Sequence, residues 1–204
     1  MSDLIYPHLA NSMTRLGTET AFSVLARAKE LERSGHNIIH LEIGEPDFDT
    51  PANIVNAAKE ALDAGFTHYV PSAGILEARE AIASEVSATR GVDITADNIV
   101  ITPGAKPILF FGITALCGPG DEVLYPDPGF PIYESVIRFV GATPVPLALR
   151  PEMQFRLDLD ELESKLSDKT KLLILNSPHN PTGGMLTPKD IDLIAIATPP
   201  HWHA

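Results

Sequence analysis

The chain has 204 residues, enough for one globular domain with a small appendage. Its apolar fraction of 44% and charged fraction of 21% are those of a folded protein and exclude a disordered chain. Fifteen basic residues against 27 acidic ones give a net charge of -12, and without a basic stripe this argues against nucleic acid and anionic membranes as partners.

The single cysteine, Cys117, cannot close an internal disulfide and lies in an apolar run that predicts burial. The start, Met1-Ser2-Asp3-Leu4-Ile5-Tyr6-Pro7, has no basic region followed by an apolar core, so no secretory signal is expected. The most apolar stretch, residues 108–117, is about half the ~20 residues of a membrane span. A cytoplasmic, enzyme-like domain is the expectation.

In chain order, Phe22, Leu25, Ala26 and Leu31 mark a helix over residues 21–33, stopped by Gly35. Residues 38–43 read as a short extended segment. A helix over 51–64 follows, with Thr50 as N-cap, Pro51 at its first position and Gly65 closing it. The turn Pro71-Ser72-Ala73-Gly74 leads to a helix over 75–89 that stops at Gly91. Ile99-Val100-Ile101 reads as a buried strand, 107–116 as a helix, 122–125 as a strand and 133–140 as a helix ended by Gly141. Then come a strand at 143–147, a helix at 161–166, a strand at 171–175 and a helix at 188–196. This alternation predicts an α/β fold, a mostly parallel sheet with helices on its faces. The last helix breaks into Ala197-Thr198-Pro199-Pro200-His201-Trp202-His203-Ala204, and its two prolines forbid continuation. His201 and His203 lack a third ligand, so no metal site is expected there or elsewhere.

In open parallel sheets, ligands sit at the carboxyl ends of strands, where the next helix presents free N–H groups. Thr102-Pro103-Gly104-Ala105-Lys106-Pro107 occupies such a place. Small residues allow close approach, the helix start favours an anion, and Lys106 adds a positive charge. The same six residues also make an ordinary strand-to-helix turn with a solvated lysine. They are not a P-loop, and no Gly-x-Gly-x-x-Gly supports a generic dinucleotide binder. Asn176-Ser177-Pro178-His179-Asn180-Pro181-Thr182-Gly183-Gly184 follows the strand at 171–175; by composition it is a turn, with His179 a turn residue and not a base.

Five segments in order carry a resemblance. Leu41-Glu42-Ile43-Gly44-Glu45-Pro46-Asp47 resembles the substrate-side loop of the class I pyridoxal-phosphate aminotransferases, and His68-Tyr69-Val70-Pro71-Ser72-Ala73-Gly74 resembles their tyrosine loop. Residues 102–107 resemble the phosphate cup, Tyr125-Pro126-Asp127-Pro128-Gly129-Phe130-Pro131-Ile132-Tyr133 the ring-stacking segment, and residues 176–183 the Asn-Pro-Thr-Gly turn.

The resemblance implies the three-layer large domain of that family, here partial, with an N-terminal arm and small-domain segment over 1–48, the large domain over 49–195 and an aberrant tail over 196–204. It implies pyridoxal 5'-phosphate as cofactor, an L-amino acid and a 2-oxo acid as substrates, and a homodimer. By the same resemblance Gly104, Ala105 and Lys106 hold the cofactor phosphate and Phe130 stacks on its ring. Asn180 hydrogen-bonds the ring 3'-oxygen, Tyr69 reaches the phosphate of the other subunit, and Gly44 offers backbone to the substrate. The plain alternatives are core packing for Phe130, a loop aromatic for Tyr69 and a surface charge for Lys106.

The family's Schiff-base lysine lies in a Ser-x-Ser-Lys segment that this sequence does not contain. Lys29, Lys59, Lys165, Lys169, Lys171 and Lys189 stand in other contexts, and Lys106 belongs to the phosphate segment. The expectation is a chain cut before its catalytic lysine, with no catalytic residue of its own and no activity alone. The family sheet further implies that strands from later in the sequence lie beside those at Ile99 and Lys171, so both are expected to lack neighbours and the isolated chain to fold poorly. A carbon–sulfur lyase or cyclopropane-carboxylate synthase uses the same motifs, and a non-catalytic subunit pairing with a longer chain through the Tyr69 loop and arm is the third reading.

Overall fold

The computed structural model describes residues 9–17 and 20–198. Contacts divide the chain into two compact units, one of residues 1–19 and 106–204, the other of residues 20–105. No described helix is long and apolar enough to cross a membrane.

The first unit is a three-layer α/β sandwich. Its parallel sheet runs in the order β2-β1-β3, with β1 at Glu122–Asp127, β2 at Thr143–Ala148 and β3 at Thr170–Leu173. The side-chain alternation of β1 builds both outer layers. Val123 and Tyr125 point to one face and pack with Ile113 and Cys117 from the α4 region (Ala105–Leu116) and with Tyr133, Val136 and Ile137 of α5 (Ile132–Val140). Leu124 points to the other face, where Leu147 meets Leu162 of α6 (Leu159–Lys165) and Ile194 of α7 (Pro188–Ala197). The burial expected of Cys117 is found: it is 8% exposed.

Helix boundaries follow local chemistry. Gly141 ends α5 at φ +86°, a left-handed conformation that costs glycine little. Asp158 caps α6 by accepting from the N–H groups of Asp160 and Glu161. Thr187 and Asp190 form a reciprocal capping box at the start of α7.

The second unit carries α1 (Thr20–Arg33), α2 (Ala52–Asp63) and α3 (Leu76–Arg90), the last ended by Gly91 at φ +66°.

Several expectations need correction. Thr50 is not the cap of α2. Pro51 takes that place, with ψ 139°, and its carbonyl accepts from Ile54 and Val55. The helix expected at 107–116 starts two residues earlier, at Ala105, so Pro107 lies in its first turn, where a missing N–H costs nothing. Ile99-Val100-Ile101 is not a buried strand. Val100 is 64% exposed, and the segment is tied by Ile99 N–H to the Ala96 carbonyl and Ile101 N–H to the Ala73 carbonyl, with no ladder beside it among the described residues. Residues 38–43 likewise form no ladder, and Ile39 and Leu41 face solvent. The strand at 171, expected to lack neighbours, pairs with β1 over Thr170–Leu173, and the ladder continues through Ile174 N–H to the Leu124 carbonyl. The end of the tail, residues 199–204 with His201 and His203, lies outside the described residues, as do Met1 to Pro7.

Candidate functional site

The segment 102–106 makes a tight turn into α4. Gly104 stands at φ +94°, where a side chain is disfavoured, and a Cβ built there would meet nothing within 4 Å. The Thr102 hydroxyl donates to the Gly104 carbonyl at 2.7 Å, which tightens the turn before α4 begins at Ala105. Gly104, Ala105 and Lys106 are exposed at the start of α4, and the first N–H groups of a helix have no partner within it.

In the first unit, Lys106 and Phe130 come together. The Lys106 ammonium lies 5.6 Å from the centroid of the Phe130 ring. Phe130 is held from the side by Tyr133, ring centroids 6.1 Å apart in an edge-to-face arrangement. The loop carrying Phe130 is fixed from below: a Cβ on Gly129 would collide with the Pro126 carbonyl oxygen.

Tyr133 is 5% exposed, and its side chain hydrogen-bonds to Asn176; burial raises its phenol above the usual range and this bond offsets part of the rise. The ring segment is thereby linked to the turn that holds Asn180. That turn is internally closed. His179 N–H donates to the Gly184 carbonyl at 2.8 Å, and Gly183 N–H donates to the His179 carbonyl at 2.7 Å. The imidazole Nδ1 lies 2.8 Å from the Thr182 hydroxyl, which also accepts from Gly184 N–H. Asn180 stands exposed on this loop.

An N-terminal segment borders Lys106. Arg15 donates to the Arg138 and Phe139 carbonyls at the end of α5, both at 2.8 Å, and Gly17 N–H donates to the Ser135 hydroxyl at 3.0 Å. Between this segment and α5 lies a cavity of ≈ 240 Å³ lined by Leu16, Gly17, Lys106, Phe110, Ile132 and Ser135, among others.

Gly44 and Tyr69 belong to the second unit, and both are exposed, Tyr69 fully so. Sequence reasoning missed Tyr133, Asn176 and the burial of His179. For Tyr133 a signal existed: it follows Phe130 by three residues, on the inward face of an amphipathic helix.

The sequence profile described as aminotransferase class I and II matches residues 36–203. A probable aspartate/prephenate aminotransferase of Aquifex aeolicus is 41% identical over 92% of the chain and 48% of its own length. An aspartate aminotransferase of Sulfolobus acidocaldarius is 42% identical over 88% of the chain and 46% of its own length. Among solved structures, the aspartate aminotransferase of Thermus thermophilus with maleate superposes with a TM-score of 0.87 at 35% identity, covering 93% of this chain and 50% of that one. The Rhizobium meliloti aspartate aminotransferase gives 0.88 at 33% identity, covering 96% and 49%. The chain thus spans about half the length of these relatives.

Proposed function

The chain belongs to the class I and II aminotransferases, and we propose on that basis that it is the cofactor-cradling part of an enzyme moving an amino group between an L-amino acid and a 2-oxo acid. The observation that carries this reading is the pairing of Lys106 with the Phe130 ring at the N-terminus of α4. A cation, the first N–H groups of a helix and a flat apolar face form the donor set that a phosphorylated pyridine ring requires, so the residues present fit pyridoxal 5'-phosphate.

In this reading Gly104 and Ala105 offer backbone N–H groups to the phosphate, Lys106 neutralises it, and Phe130 supports one face of the ring. Asn180 donates from its amide to the ring 3'-oxygen. Gly44 presents backbone to the substrate, and Tyr69 serves the site of a second copy in a cytoplasmic homodimer. When bound, the cofactor supplies the electron sink that makes the substrate α-proton labile. The residues here bind and orient it. They do not move that proton, because Lys106 is committed to the phosphate and no other lysine of this sequence stands at the site. The 204-residue chain alone is accordingly proposed to be inactive. By the same reading residues 1–48 form the arm and part of a small domain, and 49–195 the large domain.

The test is an amino-transfer assay with L-aspartate and 2-oxoglutarate. The proposal expects 2-oxo acid formation from a protein that joins this chain to a Ser-x-Ser-Lys segment, and none from the chain alone. Release of pyruvate and ammonia from a β-substituted amino acid, without amino transfer, would instead place the chemistry with the carbon–sulfur lyases.

A further inference from the structure

Asn180 is exposed, yet the residue before it is 6% exposed, and that contrast within one turn calls for a cause. His179 uses every polar atom but one to close the loop around Asn180. Its N–H and C=O bind Gly184 and Gly183, and its Nδ1 binds the Thr182 hydroxyl, which in turn accepts from Gly184 N–H. The remaining atom, Nε2, is buried with no hydrogen-bond partner among the described residues. The imidazole lines a cavity of ≈ 30 Å³ together with Leu149, Phe155, Arg156, Leu157 and Met185. Arg156 is the charged group on that wall, and its guanidinium is engaged by Asp190 at 2.7 Å. A second ring proton would sit among apolar side chains, and burial pushes the imidazole below its ordinary value, so His179 stays neutral. Gly184 leaves no slack on the far side, because a Cβ there would lie 2.5 Å from the Phe155 carbonyl oxygen.

We propose that His179 is a positioning residue: its imidazole, through Nδ1 and Thr182, locks the closed turn 179–184 and so fixes the Asn180 amide toward the ring 3'-oxygen of the cofactor. This rests on the reading of Asn180 given above. Only Nδ1 does this work, and that makes the claim specific. An asparagine amide places a polar atom near the position of Nδ1, whereas a glutamine amide reaches the position of Nε2.

The test uses the 204-residue chain and pyridoxamine 5'-phosphate, a form of the cofactor that needs no lysine to bind. Two quantities are read: its Kd and the pH midpoint of its 3'-hydroxyl while bound. Amide exchange of Gly183 and Gly184 is followed beside them. The inference expects H179L and H179Q to weaken binding about tenfold, the loss of roughly one hydrogen bond. It also expects both to shift the midpoint in the direction of N180A and to speed exchange of both glycines, with H179N restoring all three readings. If N180A alters Kd and midpoint while H179L leaves both unchanged, His179 is a structural residue only and the inference is overturned. If H179N behaves like H179L, the role assigned to Nδ1 is wrong. If N180A has no effect, or the unsubstituted chain does not bind the probe, the reading of the site fails and takes this inference with it.

Discussion

Asp190 shows how a single residue ties the far face of the sheet together. The Arg156 guanidinium beside it, with the Thr187 backbone N–H, holds its carboxyl down at about 2, against an ordinary value of 3.8. A carboxylate with a lowered folded-state value stabilises the fold fully above its unfolded value, and the contribution is lost as the pH falls through the folded one. Stability should therefore drop between about pH 4 and pH 2. Asp190 is 7% exposed, but the Arg156 side chain is 44% exposed, so the shift is discounted and D190N is expected to cost about 1–2 kcal/mol at neutral pH. Urea unfolding from pH 2 to pH 7 checks both, because D190N should flatten the acid limb. Gly129 makes a second residue-scale case. G129A drives a methyl into the Pro126 carbonyl, so the loop carrying Phe130 must move. It should weaken pyridoxamine 5'-phosphate binding at least about tenfold, equivalent to about 1.4 kcal/mol, whereas F130W, which keeps a flat ring, should bind nearly as the parent does; fluorescence titration reads both.

Elements are where sequence and structure agree and where they part. Helices with both a periodic face and a punctuating residue were legible: α3 ends at Gly91 and α5 at Gly141, because only the glycine φ allows the chain to turn there. The strands of the first unit were legible as apolar runs between such stops. Ile99-Val100-Ile101 misled because an apolar run specifies a strand only when a neighbour supplies a ladder, and among the described residues it has only isolated bonds to Ala96 and Ala73. The candidate site was legible as motifs, since Lys106, Phe130 and Asn180 each lie in one of the resembling segments. The supports behind them were not. Tyr133 and Asn176 meet across about forty residues, and composition cannot announce such a pair. The N-terminal segment was legible only as an arm; its docking depends on Arg15 binding the free carbonyls at the end of α5. R15A should release it, with faster amide exchange over residues 11–17 and little change in α5 itself. Unchanged exchange would show that the Gly17–Ser135 pair suffices.

At the scale of the whole molecule, large apolar side chains remain on the surface of both units: Ile39, Leu41 and Phe66 in one, Phe111 and Ile196 in the other. Exposed apolar surface of this kind favours association. Among the described residues the sheet of the first unit has three strands, fewer than the usual four to six. The isolated chain is therefore expected to melt over a broad, weakly cooperative range and to self-associate. A sharp calorimetric transition, with a monomer in sedimentation, would refute this.

The central proposal is that Lys106 and Phe130 of the first unit hold the phosphate and ring of a pyridoxal cofactor. The most direct measurement compares the affinity of the chain for pyridoxamine 5'-phosphate with its affinity for pyridoxamine, in the unsubstituted chain and in K106A. The account predicts saturable binding that depends on the phosphate, tighter by about a hundredfold than for pyridoxamine, and weakened at least about tenfold in K106A, in line with the strength of charge-assisted hydrogen bonds. Equal affinity for the two probes, or no effect of K106A, would contradict it.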